Sequence, residues 1–513
     1  MNATLVAAVA ALAAMVSVAD AQPARLGTIS FPTSGSPEAQ ERFVRGVLYL
    51  HSFEYGSAAR EFRAAQRLDP GFVMGHWGEA MASNHPIWNE QDAGAGRAVL
   101  RRLGATREAR LARAPTPRER AYLEAVEALY GDGPKARRDT AYAEAMRRVV
   151  EAYPDDVEAK AFYALALLGL SQGTREVSTY LRAAAVAEEV FRRNPNHPGA
   201  AHYIIHAYDD PMHAPRGLEA ARAYSGIAPD AAHAQHMTTH IFVAMGMWDE
   251  VVSQNEIAAN LTGWAPGHYT DWLGYGLLQQ GRHRDAQAHL QRVRRNMGAP
   301  GTVRQRWHLA DMRAHYLFNT EEWSSPTLGW NVDVSGLEPR MRVLDAFVRG
   351  YAAVKRGNLA AARRALGAAS TAARRSGDRV ADTIEQELQA SILFAEGGRE
   401  EAVAMLRGAA AIEDSIPFEF GPPRTAKPPR ELLGEMLLEM GRFDEARREF
   451  EGALRRAPRR ALSLYGLARA AEGAGDREAA ARAYAELLQV WRRADRGLPA
   501  LAEVERRAPS PRR

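Results

Sequence analysis

Residues 44–70 read VRGVLYLHSFEYGSAAREFRAAQRLDP. Gly46 and Tyr49 fall in one helical-periodic segment, Ala58, Phe62 and Ala65 share a face of the next, and Pro70 closes the unit. The same registration returns at Gly434, Leu437, Gly441, Ala446, Phe450, Ala453 and Pro458, and again at Leu467, Gly475, Ala480 and Tyr484. Further units fall around Gly274/Gly281/Ala286, Gly350/Gly357/Ala362/Leu366 and Ala390/Gly397/Ala402/Leu406. The period is near 34 residues, the signature of a repeat array rather than of separate domains.

This pattern resembles the tetratricopeptide repeat, in which small and large apolar residues at those offsets let two antiparallel helices pack closely. The resemblance implies an all-α fold, a tetratricopeptide-type α-solenoid of about ten helix-turn-helix repeats wound as a right-handed superhelix. It also implies that the first helix of each repeat lines a concave groove. The His-bearing run resembles that of secreted bacterial His-rich tetratricopeptide proteins. Function does not follow from this fold, because such repeats serve many partners.

The expected organisation is a signal peptide over residues 1–21, a linker at 22–36, an N-terminal array at 37–320 and a C-terminal array at 340–495. The apolar run 4–19 is short for a membrane span, and Ala19-Asp20-Ala21 supplies a small-x-small cleavage pattern; no Lys or Arg precedes the run, so an uncleaved anchor is the alternative. Either way export to the periplasm or beyond is expected, with no stable membrane span after cleavage. Three stretches break the period: a basic helical insertion at 86–118, and Pro/Gly/Ser-rich loops at 321–339 and 412–429, which are candidate lids or rims. A basic tail, expected to fray, spans 496–513.

Composition narrows the chemistry. The chain has 66 Lys+Arg against 62 Asp+Glu, a balance that gives no nucleic-acid footprint. Only four residues are lysine, and none follows a glycine-rich phosphate loop. With no cysteine, thiolate catalysis and sulfur-ligated metals are excluded. HExxH and G-x-S-x-G are missing, and AGAGR at 93–97 has no preceding strand.

The candidate site lies where the repeat carries histidine. His202 and His206 are four apart, and His236 and His240 repeat that pair 34 residues later. Numbered from their starts, the unit near Pro198 has His202 and His206 at offsets 5 and 9, and the unit near Ala232 has His233, His236 and His240 at 2, 5 and 9. The next has His268, Asp271 and Tyr275 at those offsets, and another follows with His308, Asp311 and His315. Such offsets share a helix face, and an i,i+4 His pair is a spacing by which one helix gives a metal two ligands.

The expected metal ligands are His202, His206, His236 and His240, completed from His233, His268 or Asp271, with Asp209 or Asp210 as general base. Tyr275, His308, Asp311 and His315 extend the groove. The cofactor is a divalent transition metal, with Zn, Cu, Fe and Mn not distinguished by nitrogen and oxygen ligands. All 15 histidines fall between His51 and His315 although the repeats continue, which argues against a packing role for them. His51, His76 and His85 form a second group, lacking an i,i+4 pair and expected to be structural. Trp77, Tyr269 and Trp307 are expected to wall a ligand or join the core, and Trp248 and Trp323 to pack at inter-helix turns. The primary functional expectation is an exported metal-binding repeat protein, as an enzyme if a coordination position stays open; the alternative is an envelope scaffold whose groove binds a peptide or protein partner.

Overall fold

The computed structural model describes residues 24–171, 175–418 and 420–508. The expected signal peptide lies outside the described residues, as does the end of the basic tail. Among the described residues, twenty-five α-helices follow one another and the only strands are a two-residue pair. The chain is an all-α solenoid of tetratricopeptide-type helical hairpins.

Local chemistry explains the hairpins. Ser36 caps the Pro37–His51 helix through its side chain, and Pro37 occupies its first turn, where the missing N–H costs nothing. Gly46 leaves room for Phe62 of the Tyr55–Leu68 helix; a Cβ there would stand 2.6 Å from the ring. Gly466 makes the same allowance for Phe450 of the Phe443–Arg456 helix.

Departures from the period have physical causes. The insertion opens not with a helix but with an antiparallel pair, Asn84–His85 against Glu90–Gln91, turned by Pro86–Trp88 and by Asn89 in a left-handed conformation (φ 55°). Helices Ala93–Leu103 and Arg107–Leu111 complete it. Residues 24–36, expected as a linker, are a strap held by buried Leu26 and Phe31 and by hydrogen bonds from Thr28 N to Asn196 O (3.0 Å) and Arg25 N to Asp230 (2.7 Å). The expected frayed tail instead forms the Pro499–Arg507 helix, anchored by Leu501 and Val504.

The array also curls onto itself. Trp248 Nε1 donates to Arg459 O (3.0 Å), Ala461 N to Gln279 Oε1 (2.9 Å) and Asp495 N to Gly281 O (3.0 Å). Arg460, fully buried, pairs with Glu431 at 2.8 Å and donates to the Tyr275 hydroxyl at 3.1 Å. Repeats some two hundred residues apart thus share one core. No helix among the described residues is long and apolar enough to cross a membrane.

Candidate metal centre

The histidines meet in the middle of the array, on the helices Pro198–Ala207, Ala232–Ala244 and His268–Gln279. Two imidazole triads form. In the first, ring nitrogens of His202, His206 and His233 lie within 4.8 Å of one another; in the second, those of His236, His240 and His268 do. The two i,i+4 pairs thus fall into separate triads, although ring nitrogens of His206 and His240 also come within 4.8 Å of each other beside Asp209. Each pair takes its third member from offset 2 of the following repeat, because the helix start of the next unit sits beside the face that carries offsets 5 and 9. A third copy of this arrangement is present in altered form, with Asp271 at offset 5 accepting a hydrogen bond from His308 Nδ1 (2.9 Å) on the first helix of the next repeat, and Tyr275 at offset 9.

The outer nitrogens are held. His202 Nδ1 donates to the His51 carbonyl (2.7 Å), His236 Nδ1 to Asn255 Oδ1 (2.7 Å) and His240 Nδ1 to Asp209 Oδ2 (2.5 Å). These partners fix the tautomers, so the three Nε2 atoms carry lone pairs. His236 Nε2 and His240 Nε2 then face each other at 3.1 Å. The Nε2 atoms of His202, His206 and His233 are buried with no hydrogen-bond partner among the described residues, and so is Asp209 Oδ1. Burial pushes His202 down to about 3 and moves His206, His233, His236 and His268 in the same direction, keeping these rings neutral at pH 7.

A second set of the same residue types behaves differently. His51, Glu158 and His197 are also close together, but every nitrogen is satisfied: His51 Nε2 and His197 Nε2 meet Glu158 at 2.9 and 3.1 Å, Tyr203 OH meets His51 Nδ1 at 2.8 Å, and Ala200 N donates to His197 Nδ1. Although burial opposes it, the two imidazoles hold the Glu158 carboxyl down at about 2. This is a clamp between helices, and the His51 carbonyl it fixes orients His202. His76 donates locally to Phe72 O (3.2 Å), and His85 stacks on Tyr55 with ring centres 3.9 Å apart.

The remaining expected residues are placed as follows. Asp209 lies between the triads, within 4.8 Å of ring nitrogens of both His206 and His240. Asp210 is engaged by Arg175 (3.1 Å) and His213 (2.9 Å) and caps a turn. Asp311 approaches His315 Nε2 at 3.4 Å; burial raises the Asp271 carboxyl, and neighbouring Asp311 adds to it. Phe420, from the 412–429 loop expected as a lid or rim, covers part of the lined face, with its ring centre 4.8 Å from that of His240 and 6.4 Å from that of His206, and Gly421 abuts Trp272. A cavity of about 600 Å³ has His233 and His268 in its wall.

Asn255, Glu158, His197 and Phe420 were not anticipated from sequence. Only Phe420 had a signal, as part of a period-breaking loop.

Among known proteins, no protein-family model matches the chain, and no curated protein matches it in sequence. The chain is similar to a solved structure, the APC/C hetero-tetramer Cut9-Hcn1, at 11% identity over 94% of this chain and 78% of that one, with a TM-score of 0.33. The repeat class therefore rests on the helices described above.

Proposed function

We propose that this protein is a metal-binding helical-repeat protein in which His202, His206 and His233 hold one transition-metal ion and His236, His240 and His268 a second. The observation that carries the reading is the 3.1 Å approach of His236 Nε2 to His240 Nε2 when both Nδ1 atoms are already donors. Two lone pairs at that distance repel unless a proton or a metal cation lies between them, and burial works against His236 supplying that proton. Ligands of one ion with bonds of about 2.0–2.1 Å take up such a separation. Three further unpartnered Nε2 atoms support it, since each orphaned buried group costs roughly 1–3 kcal/mol.

All-imidazole ligation favours Zn, Cu or Fe over Mn. Asn255, Asp209 and the His51 carbonyl act as the outer groups that orient metal-bound imidazoles. A three-imidazole ion keeps a coordination position open, and Asp209 Oδ1 would accept a proton from water bound there. The decisive experiment is metal analysis of purified and reconstituted protein, wild type against His206→Ala and His240→Ala. The expected result is two ions per chain in the wild type and one in each variant; no metal in any of them sinks the reading.

The second reading is a protein-interaction scaffold, favoured by the helical-repeat fold itself. It predicts a metal-free protein and capture of a peptide partner that the same two substitutions leave unchanged.

A further inference from the structure

The insertion that breaks the repeat does something the repeats cannot. It carries His85 and Trp88 across to the cavity over the triads, where Tyr55 and Tyr269 form further walls. Tyr55 and His85 stack at 3.9 Å; Trp88 lies 5.8 Å from His233, and Tyr269 4.9 Å from His236, measured between ring centres. Trp88 is 40% exposed, so its indole is open to a molecule in the cavity. At about 600 Å³ the cavity has the size of a small-molecule site and holds one or two rings rather than a length of chain. Glu54 and Glu90 face Arg304 across it, so no single charge is selected.

His233 belongs to one triad and His268 to the other, and both border this cavity. A molecule bound there lies beside one imidazole of each triad. We infer that the cavity takes a small aromatic molecule with ring oxygens, of phenol or catechol type, packed against Trp88 and Tyr269 with its oxygens toward the ions held by His233 and His268. This rests on the metal reading above. Aromatic faces prefer offset or edge contact with another ring, and a phenolic oxygen is a ready ligand for an imidazole-bound ion.

The test loads the full chain with cobalt(II) and titrates 4-nitrocatechol, following its absorption and measuring binding by equilibrium dialysis. Cyclohexane-1,2-diol, which keeps the oxygens and lacks the ring, is the control. The expected result is a shifted 4-nitrocatechol band in the cobalt protein, binding without the shift in the metal-free protein, and the diol bound at least roughly tenfold more weakly. Trp88→Ala/Tyr269→Ala should keep its cobalt and lose roughly tenfold in 4-nitrocatechol affinity. Full cobalt content with no probe binding, or equal binding in the double variant, overturns the inference and leaves the metal centre standing. Failure of the wild type to take up cobalt overturns the metal reading and the ligation with it.

Discussion

The difference between His51 and His202 is one of partners. Both rings are fully buried, yet both nitrogens of His51 are satisfied and one of His202 is not. Asp209→Ala should therefore weaken metal binding about 10–100-fold, as loss of an outer-shell partner does, while leaving the fold intact; competition with a chelator measures this. Glu158→Gln should do the reverse, costing roughly 1–3 kcal/mol in denaturant unfolding with metal stoichiometry kept. The sign with pH follows from the shifts. Folded His202 and His289, lowered by burial to about 3 and about 4, refuse protons that the unfolded chain accepts below about 6.5. Metal-free protein should lose stability as pH falls from about 6.5 toward 4, by about 1.4 kcal/mol per pH unit for each such ring; a flat urea midpoint across that range would contradict this. Glu158 adds a later loss, its contribution present above about 4.3 and vanishing as pH falls toward 2. Residue types and offsets were legible in sequence because i,i+4 spacing is local. Asn255 was not, because a lone asparagine on a second helix has no spacing to mark it.

For the helices, register is the controlling quantity. Offsets 5 and 9 of one repeat meet offset 2 of the next, and this turns a 34-residue period into successive ligand sets. Sequence showed the equal offsets but not which neighbour completes each set, since that depends on how far one helix start overhangs the preceding helix. Gly199 is a test of such fit: a Cβ there would run into the His51 ring. Gly199→Ala should cost about 1–3 kcal/mol by overpacking and, through the displaced His51 carbonyl, also weaken metal binding. Retained affinity in a destabilised variant would show that the His51 contact to His202 is dispensable.

Over the whole molecule, closure separates this array from an open solenoid. Open arrays unfold from their ends, with stability a sum over neighbours. Here a buried ion pair of Arg460 with Glu431 is tied to the distant repeat by the hydrogen bond from Arg460 to Tyr275, and removing one partner of such a pair costs about 3–5 kcal/mol. Arg460→Ala should loosen the central helices as well as the C-terminal ones, read as loss of hydrogen-exchange protection around Tyr275. The repeat period gave the solenoid, but closure was illegible because a curvature summed over many hairpins leaves no motif. The insertion was visible as a break in period, and its role became apparent only once it was seen to wall a cavity.

Phe420 imposes an order in time. Every histidine is made by residue 315, and the ring that covers two of them emerges 420 − 315 = 105 residues later. At synthesis rates of about 5–20 residues per second that is an interval of roughly 5–20 s, during which the imidazoles exist without their cover. An ion arriving in that interval meets an open face; one arriving afterwards meets Phe420 there, with the cavity beside His233 and His268 as a remaining approach. Refolding with metal present should thus load the protein faster than adding metal to the finished fold.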